Sequence, residues 1–198
     1  MSKVLYIKAN SKNKGESKTF DISDYFIEKY TLKNPQDEIE ILDLYNENIR
    51  FLTNEDLEGH KNPSLLNKEI LKYVEQFLNS DKIVISAPFW NLSIPAILKA
   101  YIDYICVSGL TFKYTQKGPV GLCENKKIIH VVTRGGDYSS ERAMQYEMGD
   151  RYLRAIFGFL GITDFTTVSA DNLDVIGANK EKIMEDAKEK IIGLLDTF

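Results

Sequence analysis

The sequence predicts an α/β fold: a single domain built on a doubly wound, five-stranded parallel sheet with helices on both faces. Two observations lead there. Short strand-like runs alternate with longer amphipathic segments along all 198 residues, as strand–helix units do. Several of those runs are apolar nearly throughout, which suits strands covered on both faces rather than a half-exposed antiparallel sheet. Five such units, joined by right-handed crossovers, give in the simplest case the strand order 2-1-3-4-5.

The first strand is Val4 to Ile7, and its helix runs over residues 19 to 31, where Ser17 or Thr19 can cap the start. Glu38 to Leu42 forms the second strand. The helix that follows, 64 to 79, repeats Leu65, Leu66, Ile70, Val74, Phe77 and Leu78 at helical spacing, with Lys68, Glu69, Lys72 and Glu75 on the other face. The third strand, Lys82 to Ser86, feeds a helix near 94 to 107, with Ser93 expected as its cap and Pro95 in its first turn, where a missing N–H costs little. Lys127 to Val132 is the fourth strand, followed by a helix over 142 to 160. Phe165 to Ser169 is the fifth, followed by a helix over 179 to 196 whose stripe is Ile183, Ala187, Ile191 and Leu194. Two connections exceed the usual ~2–6 residues of such folds: Tyr45 to Pro63 and Gly109 to Asn125. Loops of that length serve as covers or interface elements.

Charge and composition exclude several classes. With 25 basic and 29 acidic residues the net charge is -4, and no long run of like charges marks a nucleic-acid or anionic-membrane footprint. No apolar stretch approaches the ~20 residues needed to span a bilayer, and the first residues lack the apolar core of a signal peptide, so a cytoplasmic protein is expected. Cys106 and Cys123 have no CxxC spacing and no pairing with His60 or His130, so they are read as reduced thiols and no metal site is expected. His130, inside a strand, is read as a packed core residue.

In an open parallel sheet, ligands bind beyond the carboxyl ends of the strands, which directs attention to three connections. After the first strand, Ala9 to Thr19 is polar and hydroxyl-rich and runs into a helix N-terminus, a site suited to a phosphate. Neither GxxxxGK[ST] nor GxGxxG is present. After the third strand, Phe89-Trp90-Asn91-Leu92 is held on a stiff bend between Pro88 and Pro95, offering apolar contact and an amide to a planar ring. After the fourth, Thr133-Arg134-Gly135-Gly136 carries paired glycines that permit positive φ and close backbone approach.

The segments APFWNLSIPAILKAYID (87–103), GLTFKYTQKGPVGL (109–122), TRGG (133–136) and FGFLGITD (157–164), in that order, resemble the FMN-dependent NADH-azoreductases, flavodoxin-like homodimers that also reduce quinones. The similarity runs from Val4 to the last helix. It implies bound FMN, NADH as co-substrate, and azo compounds and quinones as acceptors. By the same resemblance Ser17, Lys18 and Thr19 hold the FMN phosphate, with an earlier loop position falling on Asn10 or Ser11. Pro88, Phe89, Trp90, Asn91 and Leu92 face the flavin, with Trp90 where a tyrosine is common. Thr133, Arg134, Gly135 and Gly136 contact its pyrimidine side. Tyr114 borders the substrate space, and Phe159 stands near the flavin of a neighbouring subunit in a homodimer.

The cofactor carries this chemistry, so no obligate catalytic side chain is expected. NADH and the acceptor would use one slot in turn, giving ping-pong kinetics. A dedicated quinone reductase with incidental azo activity is the nearest alternative reading. A flavodoxin-type electron carrier is a further one; a cofactor-free module would leave the aromatic turn and the diglycine turn without a shared purpose.

Overall fold

The structure, a computed structural model, describes residues 1–13 and 15–198; Lys14, within the polar loop after the first strand, lies outside the described residues. Five strands, β1 (Lys3–Lys8), β2 (Glu38–Asp43), β3 (Lys82–Ser86), β6 (Lys127–Thr133) and β7 (Asp164–Ala170), form one sheet in the order β2-β1-β3-β6-β7. Every pairing in it is parallel. In terms of these five strands that order is 2-1-3-4-5, the doubly wound arrangement expected from the alternation of elements.

Side chains alternate across each strand, and that alternation divides the interior in two. Leu5, Ile7, Ile83, Ile85 and Ile128 point to one face, packed with α3 (Lys68–Asn79), α4 (Ala96–Ile105) and α6 (Gly149–Phe159). Val4, Tyr6, Val84, Ile129 and Val131 point to the other, under α1 (Lys18–Lys33) and α7 (Lys180–Ile192). Each such buried aliphatic side chain is worth about 1.5–3 kcal/mol relative to exposure. Among the described residues no helix is long and apolar enough to cross a membrane.

Several sequence expectations need correction. The stretch read as one helix from 142 to 160 is two: α5 (Glu141–Met144), capped by Ser140, and α6, separated by a turn. The helix expected over 64 to 79 begins only at Lys68, after a single 3-10 turn at Pro63–Leu65, because the Asn67 side chain caps it by accepting from the Glu69 N–H. The helix expected over 94 to 107 is shorter, and Ser93 does not cap it. Pro95 is the cap residue and makes no side-chain cap bond, while Ser93 exchanges two backbone bonds with Trp90 instead. Both long connections contain structure. Residues 45 to 63 include α2 (Asn54–Lys61), opened by a reciprocal Thr53–Asp56 capping box. Residues 109 to 125 fold into an antiparallel hairpin of β4 (Phe112–Thr115) and β5 (Gly118–Gly121).

Candidate functional site

The loops leaving the carboxyl ends of β1, β3, β6 and β7 enclose a cleft of about 200 Å³. From the loop after β1, Asn10, Ser17 and Thr19 are buried. Ser17 caps α1: its hydroxyl accepts from the Phe20 N–H at 3.2 Å and from Asn10 Nδ2 at 2.8 Å. Phe20 takes the only side-chain cap, so the first-turn N–H of Thr19 finds no acceptor among the described residues. It stands at the positive end of the helix, as an anion site requires. Thr19 Oγ1 shares a 2.6 Å hydrogen bond with Thr133 Oγ1, tying this loop to the end of β6.

After β3, Trp90 and Ser93 close a two-residue turn with mutual backbone bonds of 2.9 and 3.0 Å. Its central residues, Asn91 and Leu92, have φ of 50° and 68°. Two positive φ values in succession make a type I′ turn, which the right-handed strand twist favours and which asparagine tolerates far better than leucine. The N–H groups of Asn91 and Leu92 have no acceptor among the described residues. Phe89 packs edge-on against Tyr138, with ring centres 4.7 Å apart, and the Arg134 guanidinium stands 5.7 Å from its centre.

After β6, Arg134 is held by two carboxylates. Its Nη2 donates to Glu147 at 3.1 Å and its Nη1 to Asp171 at 3.2 Å, with the side chain only 10% exposed. Its Nε is buried without a partner among the described residues. Neither Gly135 nor Gly136 has positive φ, contrary to one reason the diglycine was singled out. Gly135 instead allows close approach: a Cβ there would stand 2.4 Å from Asp174 Oδ2, so that side chain would have to move to admit one. Backbone bonds from Leu173 to Arg134 and from Asp174 to Gly135 stitch this turn to the loop after β7.

Of the residues singled out from sequence, the cleft brings together Asn10, Ser17, Lys18, Thr19, Pro88, Phe89, Trp90, Thr133, Arg134 and Gly135. Ser11, Asn91, Leu92 and Gly136 neighbour it in the chain without lining it. Tyr114 and Phe159 lie elsewhere. Both contact Phe112, whose ring centre is 5.5 Å from that of Tyr114 and 4.8 Å from that of Phe159. Tyr114 and Phe112 line a separate apolar cavity of about 610 Å³ with Leu57, His60 and Cys106. Sequence reasoning missed Leu173 and Asp174, which complete the cleft from β7. Applying the carboxyl-end rule to the fifth strand as well as to the others would have found them.

Below the cleft, His130 is buried in β6 and its Nδ1 lies 2.9 Å from Asp150 Oδ1. Burial alone would raise the Asp150 carboxyl, but its contacts with His130, Thr167 and Arg154 outweigh that and hold it well below the usual carboxylate range.

The residues fit a phosphorylated planar ligand. Free first-turn N–H groups and Lys18 suit the phosphate, the exposed turn amides suit a ring edge, and Arg134 Nε marks a buried polar position without a partner among the described residues. At about 200 Å³ the cleft is smaller than the ~300–1,000 Å³ typical of ligand pockets.

A family model described as "Flavodoxin-like fold" matches residues 2–195. The chain is 59% identical over 201 aligned positions to a Clostridium perfringens protein named FMN-dependent NADH:quinone oxidoreductase, with all of both chains covered. It is 61% identical to FMN-dependent NADH:quinone oxidoreductase 2 of Clostridium acetobutylicum, covering 96% of each. Among solved structures, an azoreductase from Bacillus anthracis superposes over the whole of both chains with a TM-score of 0.92 at 35% identity. An FMN-dependent NADH-azoreductase of the same species, solved in complex with FMN, gives 0.91 at 26% identity, covering 100% of this chain and 99% of that one.

Proposed function

The chain belongs to the flavodoxin-like-fold family, and on that footing we propose that it is an FMN-dependent NADH oxidoreductase whose principal acceptors are quinones, with aromatic azo compounds reduced at the same site. The observation that carries this is convergence. A helix N-terminus, a strained aromatic turn and a carboxylate-clamped arginine meet at one cleft on the carboxyl edge of the sheet. Quinones are placed first because the relatives above 50% identity bear quinone oxidoreductase names.

FMN, when bound, supplies the two-electron chemistry. The chain's own residues bind and orient it. The first turn of α1 with Ser17, Lys18 and Thr19 takes the phosphate. Phe89 and Trp90 wall one side of the ring system, and the turn amides of Asn91 and Leu92 reach its edge. Thr133, Arg134, Gly135 and Gly136 would meet the pyrimidine side, where N–H groups and the guanidinium would favour negative charge on the ring. With the donor and acceptor using one slot in turn, the kinetics are ping-pong.

The open side of the cleft is closed by a second copy. Tyr114 lines an apolar cavity away from the cleft, Phe159 packs on Phe112 of that cavity's wall, and Leu57, Val120 and Leu122 nearby in sequence or space are also exposed. That distribution supports a homodimer in which these aromatics serve the neighbouring site.

The test is the visible spectrum of the purified chain with FMN under anaerobic conditions, before and after one equivalent of NADH. Bleaching within the mixing time and recovery on adding a quinone is expected. Bound flavin that stays oxidised with NADH would turn the reading toward an electron carrier, and a monomer by light scattering would remove the shared site.

A further inference from the structure

Three consecutive residues at the start of α6, Glu147 and Met148 before it and Gly149 as its first residue, each contact a different part of the cleft or of the turn beside it. Glu147, only 8% exposed, accepts from Arg134 Nη2 at 3.1 Å and from the N–H groups of Asp150 and Arg151 at 2.9 and 3.1 Å. Met148 donates its N–H to the Leu92 carbonyl at 3.1 Å. Gly149 lies so close to Phe89 that a Cβ on it would stand 3.1 Å from the ring carbon Cδ2. We propose that Glu147-Met148-Gly149 is a positioning clasp that fixes the aromatic turn relative to the diglycine turn, with Glu147 as its pivot.

The physical case has two parts. A carboxylate held by a guanidinium and by two N–H groups at a helix start makes charge-assisted bonds at every contact, so its position is stiff. Asp171 takes the other arm of Arg134 at 3.2 Å, which leaves the guanidinium no freedom to swing. The turn on the far side is strained: leucine in the left-handed region costs about 1–2 kcal/mol, and such a conformation persists only where its surroundings over-determine it. The Met148–Leu92 bond and the Gly149–Phe89 contact supply that constraint. The break in what the sequence reads as one long helix is therefore the place where the helix layer grips the site. This proposal deepens the FMN reading; its cofactor measurements rest on that reading, whereas its fluorescence measurement does not.

Two variants test it, Glu147→Gln and Gly149→Ala. Trp90 is the only tryptophan and sits in the gripped turn, so acrylamide quenching in the flavin-free chain reports directly on the clasp. Quenching is expected to rise above wild type in both variants. The Kd for FMN should rise about tenfold, equivalent to 1.4 kcal/mol. Glu147→Gln should also raise the FMN midpoint potential by about 30 mV, one decade for a two-electron couple, because a negative charge near the reduced flavin is gone. Gly149→Ala changes no charge and should leave the potential alone, a contrast that a purely structural role would not produce. Wild-type quenching and wild-type FMN affinity in Gly149→Ala would overturn the clasp. That variant decides the matter even if Glu147→Gln fails to fold, since it removes no hydrogen bond. A wild-type chain that takes up no FMN would refute the function and leave the quenching comparison to judge the clasp.

Discussion

Ser17→Ala separates what the loop after β1 does for the fold from what it does for a ligand. Ser17 is 1% exposed; its hydroxyl caps α1 through Phe20 and accepts from the Nδ2 of Asn10, itself 5% exposed. Losing an N-cap costs about 1 kcal/mol, and leaving the buried Asn10 amide without its acceptor costs about 1–3 kcal/mol more. The flavin-free chain should therefore lose about 2–4 kcal/mol, which for this size lowers Tm by about 4–16 °C. Thr19→Ala removes a single hydroxyl–hydroxyl bond to Thr133, worth about 0.5–1.5 kcal/mol, so its Tm should fall by only about 1–6 °C. Thermal melts by circular dichroism must use apo protein, because bound FMN adds stability of its own. A Ser17→Ala melt within about 1 °C of wild type, or a larger loss in Thr19→Ala, would refute the assignment of Ser17 as a structural cap.

Gly121→Ala should be among the most damaging single changes away from the cleft. Its Cβ would stand 2.1 Å from the Leu160 carbonyl carbon, a backbone clash no rotamer relieves, and a loss of about 3 kcal/mol or more in urea unfolding is expected. Burial pushes the Cys106 thiol up to about 12 and the Cys123 thiol up to about 11. Both should react with DTNB at pH 8 about a hundredfold or more slower in the native chain than in urea. At low pH, Asp56, held by the Arg50 guanidinium, and Asp150 both lie well below the usual carboxylate range. Depressed folded values give stability that is full above the unfolded value of ~3.9 and is lost as pH falls toward the folded ones. The urea midpoint should accordingly drop across that acid range, and Asp56→Asn should flatten the drop.

The central strands were legible because they are buried on both faces: Val4 to Ile7 and Lys82 to Ser86 carry the apolar runs that a covered parallel strand needs. The segment from 142 to 160 misled because helix propensity and apolar spacing continue through it. What interrupts it is the Glu147 carboxylate turning back to cap Asp150 and Arg151 while bonding Arg134, residues whose proximity only the folded chain creates. Ser93 misled for the opposite reason. It has a capping residue's chemistry, but its backbone is taken by Trp90 across a turn that leucine would not be expected to enter.

By itself the sequence determined the strand order, the edge of the sheet where the candidate cleft lies and most residues that line it, since these follow from local periodicity and from chain direction. The tertiary structure alone decided how those residues are held: the pairing of Thr19 with Thr133, the two-carboxylate grip on Arg134, the closeness of Gly135 to Asp174 and the placing of Tyr114 and Phe159 against Phe112, away from the cleft. Each is a contact between residues far apart in the chain or a backbone conformation imposed by neighbours, and short-range patterns carry no record of either.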